Sequence, residues 1–274
     1  MNCATSLNPG NDMIFNRRTR RLYYEDFLLY KAPARVVRIE DDSIELDATV
    51  AYPEGGGQEA DHGTIVLDDG TVLRFDDAKK LYLHPAGLAE FPGLQVGGVI
   101  KHVIVPEDRL LLRQASLGAP VVVQIDVERR ARLALSHTAS HLLYLGISQV
   151  RPEAIESTIG CHIRPHGARF DFAVENRFEA DELARIELVA NAYVQSNALV
   201  SVSAHAAEPD ARLWHCDGRV IPCGGIHLTS AASIGPLQVR RRGLGRGKER
   251  ISCEFPQAMP ALDGYHAKRA EVAS

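Results

Sequence analysis

Two pairs of metal-competent side chains stand out in the chain. His137-Thr-Ala-Ser-His141 carries two imidazoles four residues apart, and Cys223-Gly-Gly-Ile-His227 offers a thiolate and a third imidazole at the same spacing. On a helix, residues i and i+4 share a face one turn apart, so both rings of the first pair can reach one ion. In the second pair the two glycines let the backbone wrap tightly between the ligands. Either pair alone is a common coincidence. Together they form a His₃Cys set, and that mixture of nitrogen and sulfur suits Zn²⁺, one per chain. Four protein ligands are also the pattern of a structural zinc, so the donor set alone leaves catalysis and scaffolding both open.

Other residues belong to the same inventory. Gly55-Gly-Gly-Gln58 combines a backbone free of side-chain bulk with one amide donor and acceptor. An isolated glycine triplet is first of all a turn between strands. His162, His166 and His215 are expected to be ordinary histidines, and Cys216 a buried thiol. Arg240, Arg241, Arg242, Arg246, Lys248 and Arg250 cluster near the C-terminus with only Glu249 opposing them. Such a run is usually a solvated face. Interleaved with Gly243, Gly245 and Gly247, it reads as a flexible loop that contacts phosphates. Arg17, Arg18, Arg20 and Arg21 form a second basic group.

The elements that must hold these residues change character near position 125. Before it, 35–49 reads as a hairpin about Asp41-Asp42 and 64–75 as a stronger one about Asp69-Gly70; 96–106 and 120–126 are further strands. Short strands separated by Gly, Pro and Asp predict a small barrel or a sandwich. After it, Asp126 caps a helix over 126–149 with Glu128 in its first turn, and Val127, Ala131, Leu135, Leu142 and Leu145 face a core. A strand over 168–174, a helix over 180–197, a strand over 199–205 and a basic hairpin over 236–255 follow. The fold class expected is therefore α+β: a small β-barrel or sandwich domain (1–125), an α+β zinc-containing domain (126–256) and a C-terminal tail (257–274).

Composition excludes several classes. The 274 residues suffice for one large or two ordinary domains, and 45% hydrophobic with 24% charged residues is the balance of a soluble globular chain. No apolar run reaches the roughly 18 residues of a membrane span, so no membrane partner is expected. No secretory signal is expected in MNCATSLNPGNDMIF. Five scattered cysteines argue for a reducing, cytoplasmic setting rather than a disulfide framework. A net charge of -4 does not point to nucleic acid, which has to be sought in local patches.

At three places the chain resembles the AlaX family, the free-standing relatives of the editing domain of alanyl-tRNA synthetase, in its medium-length form. Ala51-Tyr-Pro-Glu-Gly-Gly-Gly-Gln-Glu-Ala-Asp-His-Gly63, His137-Thr-Ala-Ser-His-Leu-Leu143 and Pro222-Cys-Gly-Gly-Ile-His227 match its motifs in order, and the likeness runs from about residue 22 to residue 251. The resemblance implies zinc ligands at His137, His141, Cys223 and His227, and a trans-acting hydrolase that removes serine, or also glycine, from mischarged alanine tRNA. It gives Gln58 a catalytic role and places Gly56 and Gly57 against the substrate. The family reads the serine hydroxyl with a polar residue, often Thr, and the matching position is Thr158; Gln58 and Thr158 are thus the expected catalytic pair. Three departures bear on specificity: Ile226 replaces a Thr, Cys161 a Ser, and Glu59 a Pro. The first two put Ile226 and Cys161 among the expected substrate contacts. Arg240, Arg241, Arg242, Arg246 and Lys248 become the expected tRNA contacts. The rival readings are a paralogue acting on another small aminoacyl ester, and a non-catalytic, zinc-stabilised RNA-binding module.

Overall fold

The computed structural model describes residues 18–91, 93–260 and 262–265. Six strands close into a barrel: β1 (Lys31–Ile39), β2 (Ser43–Leu46), β3 (Gly63–Leu67), β4 (Val72–Leu81), β5 (Val99–Ile104) and β6 (Pro120–Ile125), in the order β6-β1-β2-β5-β4-β3 with β3 pairing back onto β6. Both expected hairpins are present, and Gly70 takes the positive φ (86°) that its turn requires. Of barrel and sandwich, the chain forms the barrel, which leaves no open strand edge in this sheet. Ala32, Ala34 and Val36 alternate inward along β1, and Ile65, Leu73, Phe75 and Val123 fill the interior.

The helix α1 (Val127–Val150) follows β6 directly, and the Asp126 carboxylate accepts the Arg129 N–H at 3.0 Å as its cap. Its buried residues run round nearly the whole circumference. The reason is position: Ala131 packs into the barrel core, whereas Leu135, Ala139, Leu142 and Leu143 pack into a second core. A helix covered on every side carries polar groups into the interior, among them Arg130, His137 and His141.

The second core is roofed by α2 (Pro152–Glu156), β7 (Thr158–Arg164), β8 (Gly167–Ala173), α3 (Ala180–Gln195), β9 (Val200–Ala204), β10 (Arg212–Cys216), β11 (Arg219–Pro222), β12 (Gln238–Gly245) and β13 (Lys248–Glu254). One antiparallel sheet runs β7-β8-β13-β12 and a smaller one β9-β10-β11. Helix α3 opens on a capping box between Glu179 and Glu182. It crosses α1 at Gly146, where a Cβ would come within 2.7 Å of the Ile186 carbonyl. Strands β7, β10 and β11 go beyond the sequence expectation. Charged and ring residues obscure their alternation, and the β10–β11 turn rests on Asp217 and Gly218 at positive φ.

The segment beyond residue 256 does not hang free over its described part. Tyr265 is 3% exposed and inserted into the barrel core. The rest of that segment, with Cys3 and Arg17, lies outside the described residues. No helix among the described residues is long and apolar enough to cross a membrane.

Candidate metal centre and substrate cleft

His137 and His141 project from the buried middle of α1, and Cys223 and His227 from the loop that leaves β11. One ligand atom from each lies within 4.8 Å of every other. Cys223 Sγ is 3.3 Å from His137 Nε2 and 3.3 Å from His227 Nε2. The two glycines make this approach possible. A Cβ on Gly225 would overlap the His137 ring, and one on Gly224 would sit 2.7 Å from the Tyr24 hydroxyl. The loop is therefore pressed between a ligand and an aromatic side chain, and only a bare backbone fits.

Burial holds all three imidazoles neutral. His141 is pushed down to about 3; His137 lies well below its ordinary value through burial and then the His141 ring, and His227 through burial and its two histidine neighbours. Burial pushes the Cys223 thiol up to about 12, against a weaker opposing effect of the Gly225 N–H directed at its sulfur. His141 Nδ1 and His227 Nδ1 are buried with no hydrogen-bond partner among the described residues. Neutral rings are the ligating form, and a divalent cation held here would supply the charge that ionises the thiol with release of one proton. The residues fit a borderline-soft ion such as Zn²⁺.

Gln58 stands behind this set and is fully buried. Its Oε1 accepts the Ile226 backbone N–H at 3.2 Å and lies 2.6 Å from His137 Nδ1. A backbone N–H is always a donor, so the atom facing it is the amide oxygen; His137 Nδ1 must then carry the proton. That leaves the lone pair on Nε2, the atom facing Cys223. Gln58 thus sets the tautomer of a ligand from behind and does not line the cleft. Expected as catalytic, it stands behind the cluster and outside the cleft lining.

The loop bearing Gln58 is moored twice to α1. Seven residues before His137, Arg130 donates to Asp61 Oδ1 at 3.1 Å and to Oδ2 at 3.0 Å, with both side chains 0% exposed. It also donates to the carbonyls of Phe27 (3.0 Å) and Val50 (2.6 Å), while Asp61 Oδ2 accepts the Tyr52 N–H at 2.7 Å. Asp61 belongs to the glycine-rich motif, yet its role and that of Arg130 were not drawn from the sequence. A charged residue on an otherwise buried helix face was the available signal. On its other side the loop docks on β7: Ile163 N–H donates to Gly57 O at 2.7 Å, and Glu59 N–H to Ile163 O at 3.1 Å.

These contacts wall a cleft of about 860 Å³ with His137, His141 and Cys223 at its floor. Gly55, Gly56 and Gly57 form one side; Cys161, Ile163, Phe170 and Tyr144 another. Gly57 has φ 83°, and a Cβ on it would lie 2.9 Å from Cys161 Sγ, so this glycine sets the width beside the thiol.

Two expected substrate residues fall elsewhere. Thr158 is exposed at the start of β7, its hydroxyl donating to the Ile155 carbonyl at 2.8 Å, and it does not line the cleft. Cys161 and Ile163, two residues apart, share the strand face that lines the cleft, whereas Thr158 begins the strand, before an irregularity between Thr158 and Gly160, and lies outside that lining. Ile226 is 2% exposed and packs among Tyr23, Tyr52, Ala78, Ile100 and Ala134, so its contribution to the site is the N–H that Gln58 accepts.

The basic hairpin is solvent-facing and away from the cleft lining. Arg240 pairs with Glu254 at 3.2 Å, Arg241 with Glu249, and Arg250 with Asp171 at 2.7 Å. Arg242, Arg246 and Lys248 have no ion pair among the described residues. The earlier arginine group is largely consumed: Arg20 pairs with Glu25, and Arg18 and Arg21 share Asp210. Lys80, Arg21 and Arg212, which sequence reasoning left unassigned, line the cleft.

Fold and site together define a class: a barrel joined through one buried helix to an α/β layer, with a His₃Cys cluster of which three members line a glycine-walled cleft. A comparison with protein-family models finds no match. Among individual proteins, the chain is 32% identical over 239 residues to the alanyl-tRNA editing protein AlaX-M of Pyrococcus horikoshii, covering 85% of this chain and 96% of the relative. It is 32% identical over 240 residues to an alanine–tRNA ligase of Ignicoccus hospitalis (81% of this chain, 24% of the ligase) and 32% identical over 286 residues to that of Methanoregula boonei (93% and 28%). The match thus spans about a quarter of each ligase and nearly all of the editing protein. The chain belongs to the AlaX family of alanyl-tRNA editing proteins.

Proposed function

We propose that this chain hydrolyses the ester of mischarged alanine tRNA in trans, releasing serine or glycine, with one Zn²⁺ held by His137, His141, Cys223 and His227. The observation that carries the proposal is the convergence of these four side chains, three of which (His137, His141 and Cys223) line an open cleft. A purely structural ion has no need of that opening. The relatives, an editing protein and ligases for alanine tRNA, support the substrate class.

Zinc in this donor set supplies a Lewis-acidic centre of net charge about +1 that polarises or orients whatever oxygen or nitrogen reaches it. The chain's own residues do the rest. The Gly56–Gly57 backbone lies against the aminoacyl end without side-chain bulk, and Gln58 keeps the His137 lone pair aimed at the site. Cys161, beside Gly57, faces the aminoacyl side chain. A small cleft between Gly57 and Cys161 favours serine and glycine over larger groups. Water adds to the ester carbonyl, and the ribose oxygen leaves with a proton.

Exposed Arg242, Arg246 and Lys248, with Arg240 and Arg241, contact phosphates in the body of the tRNA. The barrel up to residue 125 acts as one unit that delivers the glycine-rich loop, and residues 126–256 as the editing unit. The setting that fits free thiols and a tRNA substrate is the cytoplasm. Deacylation of Ser-, Gly- and Ala-charged alanine tRNA, run with metal analysis, is the decisive experiment. Zinc near one per chain is expected, with His141→Ala and Cys223→Ala losing metal and hydrolysis together. Full activity without metal overturns the mechanism, and RNA binding without hydrolysis would assign the chain to a non-catalytic module.

A further inference from the structure

The cleft carries positive charge that the four-ligand site does not use. Lys80, on β4, lines it, with its ammonium 5.4 Å from the Tyr52 ring centroid and no carboxylate in salt-bridge range among the described residues. Its neighbour Lys79, by contrast, is paired with Asp77 at 3.3 Å. Arg212, on β10, lies over the Tyr24 ring at 4.9 Å, its Nη2 donating to the Tyr24 carbonyl at 3.4 Å. Its Nε is buried without a hydrogen-bond partner. Two carboxylates line the cleft: Asp210 is shared by Arg18 and Arg21, and Glu54 is exposed. A cation withdrawn from water and given no counter-charge is costly unless a ligand brings one. Burial already depresses the Lys80 ammonium to about 8. The two cations come from different layers, Lys80 from the barrel and Arg212 from the small sheet, and both line the cleft.

We propose that Lys80 and Arg212 bind the phosphodiester backbone of the tRNA's single-stranded 3′ end and so hold the terminal ester over the four-ligand site. The aromatic faces of Tyr52 and Tyr24 under these cations position them toward the open cleft. The inference rests on the proposed substrate, but it concerns binding, which can be measured without hydrolysis.

The test uses the whole protein and two uncharged RNAs: an acceptor-stem hairpin with its 3′ tail and the same hairpin with the tail removed. Wild type should prefer the tailed hairpin. Lys80→Gln and Arg212→Gln should each lose about tenfold in affinity for it, the effect of one charge-assisted contact, with little change on the blunt hairpin. The log–log salt slope on the tailed hairpin should shrink by about 0.7 per variant. Lys80→Arg should retain most of the affinity, and thermal unfolding should match wild type, which separates a phosphate contact from a packing role. No tail preference in wild type, or an equal loss on both hairpins, overturns the proposal. Deacylation of charged tRNA reports on the activity separately. Tail binding through Lys80 without hydrolysis would refute the activity and keep the phosphate contact; hydrolysis with no effect of Lys80 on binding would do the reverse.

Discussion

Replacing Gln58 by Leu removes the acceptor for two buried donors, His137 Nδ1–H and Ile226 N–H, and keeps nearly the same volume. The cost does not fall equally on the two states of the site. Without a metal, His137 can move its proton to Nε2, where Cys223 Sγ stands 3.3 Å away, so Nδ1 no longer needs an acceptor. With a metal, Nε2 must give its lone pair and Nδ1 must keep its proton facing a methyl group. An unsatisfied buried donor costs about 1–3 kcal/mol, and all of that difference appears as lost affinity. Zinc binding measured by chelator competition should therefore weaken about 10–100-fold in Gln58→Leu. Gln58→Glu supplies the control. The amide nitrogen has no partner among the described residues, so nothing is lost there, and a carboxylate accepts from Nδ1–H at least as well. Its zinc affinity should equal or exceed that of wild type. A Leu variant that binds zinc within about twofold of wild type, a difference too small for one lost hydrogen bond, would refute the tautomer argument.

Three further outcomes follow from the same geometry. Asp61→Asn strands Arg130 as an uncompensated buried charge and should lower unfolding stability by about 3–5 kcal/mol, whereas Asp61→Leu with Arg130→Met should recover much of it; equal losses in both would show that the charge is not the cause. His102 lies buried in the barrel, its Nδ1–H donating to the Ile44 carbonyl and its Nε2 accepting from Thr49, and burial lowers it to about 4. The unfolded chain therefore takes up the proton first as pH falls, so stability is complete above about 6.5 and declines by about 3 kcal/mol toward about pH 4; denaturant titrations of wild type and His102→Gln should differ by that slope. Thr158→Val should leave Ser-tRNA hydrolysis within about twofold, since its hydroxyl is spent on Ile155, while Cys161→Val should reduce it by about tenfold or more; the opposite order would return the specificity role to Thr158.

What the sequence made legible was local. The capped helix, the Asp69-Gly70 hairpin and the ligand spacing are each decided within a few residues, and each is found where the pattern put it. What it concealed depends on which face of an element turns inward. Thr158 and Cys161 are three residues apart on one strand, yet only Cys161 lines the cleft, because Thr158 sits at the exposed start of the strand. Ile226 sits between two ligand-bearing positions, yet its side chain faces away and only its N–H serves the site. Lys80, Arg212 and the Asp61–Arg130 pair depend on barrel closure and on β10, neither of which has a local signature. The basic hairpin shows the reverse error: six cations in sequence look like one patch, but cross-strand carboxylates neutralise Arg240, Arg241 and Arg250.

The site is therefore best understood as one helix read from two sides. Arg130 and His137 are seven residues apart, two turns, and so lie along one face of α1. Both are gripped by the same thirteen-residue motif, through Asp61 and Gln58 respectively. His141, one turn on, reaches across to the Cys223–His227 loop, whose Gly225 admits the His137 ring. Any displacement of the glycine-rich loop consequently moves the cleft wall and the ligand tautomer together, since Gly57 and Gln58 are adjacent. Such coupling explains why a barrel precedes the α/β layer at all. The four clustered side chains come from α1 and the β11 loop, but the Gln58 amide that accepts from one of them, and the Gly57 backbone that shapes the cleft beside it, come from the barrel side.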